Sequence, residues 1–232
     1  MPPHTPQPPA GILSAANVPA ALTCVPTVSF SPLPSPKWLQ LVEASFPDPS
    51  GTWRTWELVQ RTHQKEKAIQ SPDDVDAVDV VAIIRASTSP HQFPPVPTIL
   101  VVLQFRPPTQ KWTLEFPSGL VDAGESPELA AGRELKEETG YCGTIQSVGP
   151  PITYEPGITS SCSRMVTVDI DPDSDVNRAP QPAREDDEWS LRTVAMPLLG
   201  LLDTLHDLQT QCAGLRIDSR LYSFACGMSL RT

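Results

Sequence analysis

Residues 119–141 read GLVDAGESPELAAGRELKEETGY, and the reading of the fold begins here. Ser126 is a good helix N-cap. Pro127 suits the first helical position, where its missing N–H costs nothing, and Gly140 suits the left-handed position that ends a helix. The run therefore predicts a loop from Gly119 and a helix over Pro127–Thr139. At about 100° per residue, Glu134, Glu137 and Glu138 share one arc of that helix, while Leu129, Gly132, Leu135 and Thr139 group on another side. Glu134 and Glu138 lie one turn apart, so their charges repel and call for a cation. Clustered hard oxygen donors suit Mg²⁺, which takes a few carboxylates and adds waters and phosphate oxygens. Metal-assisted phosphate chemistry is the natural reading of such a face. By composition alone the run would be an ordinary solvated helix face, with Arg133 a surface partner of Glu137.

Outward from this run, strand signals recur at 78–86, 98–106, 112–119, 143–155 and 164–171. Two shorter strands joined by a turn at Asp48–Gly51 precede them, in KWLQLVEASFP and TWRTWELVQRT. Further helices are predicted from about Met196 to Leu215, on its leucine spacing, and near 218–227. Segment 172–187 reads as a polar loop. A mixed-sheet α/β (α+β) protein is expected, with a disordered Pro/Ala/Ser-rich arm over 1–36, a β-segment over 37–70 and the main domain over 71–232.

Composition narrows the function classes. A formal net charge of −10 argues against a broad basic surface for nucleic acid. The five cysteines form no CxxC pair and are odd in number, which suggests neither a zinc site nor a disulfide framework and fits a reducing compartment. No apolar run approaches the roughly 20 residues that span a bilayer, so no membrane partner is expected. A cytoplasmic or nuclear address follows. The first 42 residues lack Asp and Glu but hold one Lys and no Arg, which leaves mitochondrial targeting by the arm open.

The spacing of the run matches, position by position, the pattern G-x5-E-x7-R-E-U-x-E-E-x-G-U, where U is apolar and Tyr141 is slightly off type. On those residues the chain resembles the Nudix superfamily. The flanks RTWELVQR, LQFRPP, LEFPSGLVDAGE and RIDSRLYSFA, with Pro156 beyond the box, resemble the eukaryotic ADP-sugar pyrophosphatase subgroup over roughly Lys37–Cys226. The resemblance implies an α/β/α sandwich around a mixed sheet, and Mg²⁺, or Mn²⁺ in its place, held by Glu134, Glu138, the Ser118 main-chain carbonyl and Glu188. Glu137 would stand close by, Arg133 would orient the glutamates, and Glu125 would support the loop. Glu188 would position metal or water from the loop after the box, with Glu185, Asp186 and Asp187 as competitors.

For the substrate, the resemblance implies adenine gripped by Trp38 and Trp56, with Glu57 beside them. Either tryptophan could instead pack strands or a dimer interface. Arg61 and Arg106 are candidates for phosphate, Leu120 for a further substrate contact, and Glu155 for the terminal ribose. A homodimer is implied, its N-terminal segments completing the partner's site. The expected activity is Mg²⁺-dependent hydrolysis of ADP-ribose and related ADP-sugars to AMP and ribose 5-phosphate. Rivals are another nucleoside diphosphate derivative as substrate, or a non-catalytic ADP-ribose sensor; sensors usually have damaged box glutamates, and these are intact.

Overall fold

The computed structural model describes residues 11–12, 25–31, 36–62, 75–86, 96–184 and 188–230. Most of the arm expected to be disordered lies outside them, although β1 (Gly11–Ile12) runs parallel to β10 (Arg192–Pro197).

Strands β4 (Ala77–Ile84) and β5 (Thr98–Arg106) are near-continuous apolar runs because they are buried on both faces. Val78, Val80, Ala82 and Ile84 pack on one side with Leu135 and Ala131 of helix α1 (Pro127–Thr139). Val81, Ile99, Val101 and Leu103 pack on the other with Leu201, Leu205 and Leu208 of α2 (Leu201–Gln211) and Leu221 of α3 (Ser219–Ser229). The result is the expected α/β/α sandwich.

The sheet is mixed, in the order β1-β10-β5-β4-β9-β8, where β8 is Thr144–Thr153 and β9 is Cys162–Ile170. Its two central strands pair only over Ala82–Ile84 and Thr98–Leu100. Beyond that they splay: β7 (Ser118–Leu120) takes the edge of β4, and β6 (Lys111–Glu115) takes the edge of β5. The one strand predicted over 112–119 is therefore two. They break at Phe116-Pro117, where proline has no N–H for the ladder, while the Pro117 carbonyl accepts from the Val80 amide. The opening between the splayed strands becomes the site.

The predicted helix over Met196–Leu215 is corrected. Only Leu201–Gln211 is helical; Met196 belongs to β10, a strand missed in the sequence, and Leu215 begins β11 (Leu215–Ile217), parallel to β6. Ahead of the domain, β2 (Leu39–Pro47) and β3 (Trp53–Arg61) form a separate antiparallel hairpin, closed by a turn in which Asp48 accepts from the Ser50 and Thr52 amides. It meets the main domain at the turn after β8. There the Val59 amide donates to the Ile158 carbonyl, and Trp56 Nε1 donates to the Gly157 carbonyl at 3.0 Å. The four described cysteines are free thiols.

Candidate active site

Helix α1 is anchored as its caps predict. Ser126 accepts from the Leu129 amide, and Gly140 closes the last turn at φ 78° with its amide on the Lys136 carbonyl. A Cβ on Gly140 would stand 2.5 Å from the Gln181 amide, because the strap Pro180–Arg184 crosses this helix end. The Arg184 guanidinium donates to the Glu138 carbonyl, and the Ala183 amide to the Glu137 carbonyl. Cation and amide thus satisfy orphan carbonyls at the negative end of the helix dipole.

This anchoring presents the acidic arc to the splay. Arg133 is the hub: it donates to Glu125 at 3.0 and 2.8 Å, to Glu134 at 2.7 Å, to Glu137 at 3.2 Å and to the Leu120 carbonyl at 2.9 Å. An exposed ion pair would do none of this, so Arg133 is a built orienting group. Glu125 also accepts from the Asp122 amide, closing the loop. The Arg133 hydrogen bonds hold the Glu125 carboxyl below its ordinary range. Glu138 accepts from the Ser118 amide at 3.0 Å, joining the helix to β7. Gly119 lies so close to the Glu134 carboxylate that a Cβ there would overlap it.

Glu134 and Glu138 are both buried. Burial, then the charge of Glu188, pushes the Glu138 carboxyl well above the ordinary range. Burial likewise raises Glu134, against the opposing pull of Arg133. Glu188 lies near enough to act on both glutamates, while Glu185, Asp186 and Asp187 lie outside the described residues. The Arg133 charge is shared among three carboxylates, and Glu138 receives no side-chain cation bond among the described residues. A hard divalent cation fits this donor set, by its excess of buried carboxylate over cationic groups.

These groups line one cleft of about 1330 Å³, ample for a nucleotide-sized ligand. Ser118, Leu120, Arg133, Glu134, Glu137, Glu138 and Glu188 all line it, as do Arg61, Arg106 and Glu155. Trp38, Trp56 and Glu57 do not line it; both tryptophans lie exposed on the hairpin, at 58% and 56%.

Sequence reasoning missed a polar floor. Asp79, fully buried on β4, pairs with Arg220 and accepts from Ser163 Oγ at 2.6 Å; Arg220 also grips Asp218 and lies over the Tyr154 ring at 4.6 Å. Burial raises the Asp79 carboxyl. The signal was present: Asp79 is the lone charge in AVDVVAII, a strand that otherwise reads as wholly interior. Glu115, clamped to Arg106 at 2.8 and 2.6 Å, was missed as well.

Comparison with known proteins agrees with this geometry. The NUDIX domain model matches residues 73–207. The chain is 35% identical over 195 residues to the ADP-sugar pyrophosphatase of Mus musculus, covering 84% of this chain and 82% of the mouse protein. It is 34% identical over 192 residues to the ADP-ribose pyrophosphatase of Saccharomyces cerevisiae, covering 83% and 77%. A crystal structure of an ADP compounds hydrolase superposes with a TM-score of 0.51 at 20% identity, over 87% of this chain and 97% of that one, a likeness of fold. The box residues gathered on α1 and the match across the domain say the same thing: this chain belongs to the NUDIX domain family and is a Nudix hydrolase.

Proposed function

We propose that the protein hydrolyses the diphosphate of ADP-ribose and related ADP-sugars, giving AMP and ribose 5-phosphate, with Mg²⁺ as cofactor and Mn²⁺ as a substitute. The observation that supports this reading is a single cleft lined by Glu134, Glu138 and Glu188 together with Arg61 and Arg106. The names of the mouse and yeast relatives supply the substrate class.

Glu134, Glu138, Glu188 and the Ser118 main-chain oxygen would hold the metal, and Glu137 stands beside them. A bound divalent cation supplies Lewis acidity toward the phosphoryl oxygens and lowers the pKa of water. Arg133 fixes the glutamates, and Glu188 positions metal or water from the loop after the box. Arg106 and Arg61 bind the diphosphate oxygens through planar guanidinium forks. Leu120 and Glu155 bound the sugar.

Adenine recognition falls to the hairpin. Trp38, Trp56 and Glu57 lie away from their own chain's cleft, so we assign them to the cleft of a second copy in a homodimer. Base stacking on each tryptophan is worth about 1–3 kcal/mol. No described helix is long and apolar enough to cross a membrane. The free thiols suit a reducing compartment, the cytoplasm or nucleus.

A substrate panel under Mg²⁺ tests the proposal: ADP-ribose, ADP-glucose, NADH, coenzyme A, diadenosine polyphosphates and 8-oxo-nucleotides, with Glu138→Gln as control. Highest kcat/KM on ADP-ribose, abolished in the control, is expected. Preference for a different class would overturn the substrate assignment, and tight ADP-ribose binding without products would make the protein a sensor.

A further inference from the structure

Arg106 ends β5 and Glu115 ends β6, and both line the cleft that opens where β5 diverges from β4. Glu115 is only 4% exposed, and its carboxylate accepts from Arg106 alone among the described residues. Both carboxylate oxygens are engaged, one by Nε at 2.8 Å and one by Nη2 at 2.6 Å. The side edge of the guanidinium is thereby clamped. Its Nη1 has no acceptor among the described residues, and the Arg106 side chain remains 43% exposed.

Burying a carboxylate is unfavourable unless it is paired, so the position of Glu115 calls for a reason beyond folding. A guanidinium held along one edge keeps its plane fixed and offers its remaining N–H groups in one direction. That is the arrangement a tetrahedral phosphate oxyanion needs from a preorganised donor. A lysine could not reproduce it, having no planar fork to clamp. Thr113, two residues earlier on β6, is buried with its hydroxyl unpartnered and gives Glu115 no alternative donor.

We propose that Glu115 is a positioning residue for phosphate recognition: it orients Arg106 by a side-on clamp so that the Nη1 end faces a substrate phosphate. The inference rests on the reading of Arg106 as a diphosphate contact. Glu115 touches neither substrate nor metal in this scheme; it acts through Arg106.

The test compares wild type, E115Q, R106K and the double variant. Two quantities are read: steady-state kinetics on ADP-ribose and calorimetric affinity for AMP. In E115Q the KM for ADP-ribose and the Kd for AMP should rise about tenfold, as expected for loss of a charge-assisted clamp. Its kcat should stay within about threefold, and the double variant should be no worse than R106K alone. Multiplicative penalties in the double variant, or wild-type affinity for AMP in E115Q, would each overturn the proposal. If E115Q does not fold, E115D, which keeps the charge on a shorter stem, carries the same comparison. A wild-type protein inert toward ADP-ribose would refute the functional reading; the AMP titration would still decide the role of Glu115.

Discussion

Glu138 is a carboxylate kept where its charge is disfavoured, buried near Glu134 and Glu188. Its folded pKa lies above its unfolded value, so the folded state binds the proton more tightly. The associated stability is fully present below the ordinary value of 4.5 and is lost as pH rises through the raised one. Chelator-treated protein should therefore show a melting temperature that falls as pH rises above that ordinary value. Saturating Mg²⁺ should offset the fall, and Glu138→Gln should flatten it while lowering kcat about a hundredfold or more. Gly119 is a second residue-scale test. A Cβ there would displace the Glu134 carboxylate, so Gly119→Ala should lower kcat by about tenfold or more, by analogy with other small misplacements in active sites. Comparing kcat with the melting temperature separates that loss from unfolding. At this scale the box was legible because its residues are fixed by spacing, whereas Glu115 and Asp79 depend on partners nine and 141 residues away.

Helix α1 was legible at both ends because capping is local chemistry, and the predicted Pro127–Thr139 is the observed span. The tight packing of Gly140 against the Pro180–Arg184 strap was not, since nothing near Gly140 in sequence announces it. Gly140→Ala should cost about 2–4 kcal/mol, adding a left-handed penalty to a clash with main chain that cannot rotate away. Urea unfolding measures it directly. Strands β10 and β11 escaped sequence reading for different reasons. In β10, Val194, Ala195 and Met196 are consecutively buried, so no alternation marks the strand. In β11, three residues are too few to show a period, and the leucines of α2 on its N-terminal side read as helix.

At the scale of the molecule, the hairpin β2–β3 is the part that one chain does not explain. Trp38, Trp53, Trp56 and Leu41 are exposed there, and none of them lines the cleft of its own chain. Such an apolar surface on a hairpin is a mark of an interface. Light scattering should give a mass near twice the 25.2 kDa of the chain. Trp56→Ala should raise the KM for ADP-ribose about tenfold or more with kcat little changed, since a stacked base contributes equally to ground and transition states. A monomer of full activity would contradict the assignment. Resemblance named Trp38 and Trp56 and implied a role in the partner's cleft; Trp53 and Leu41 carry no such signal in the sequence.

Phosphorus NMR of ADP-ribose incubated with the protein and Mg²⁺ shows whether this cleft breaks the diphosphate of ADP-ribose. The paired diphosphate resonances should give way to those of AMP and ribose 5-phosphate in equal amounts, and EDTA or Glu138→Gln should stop the conversion. Diphosphate resonances that persist with the active, Mg²⁺-loaded protein would contradict it.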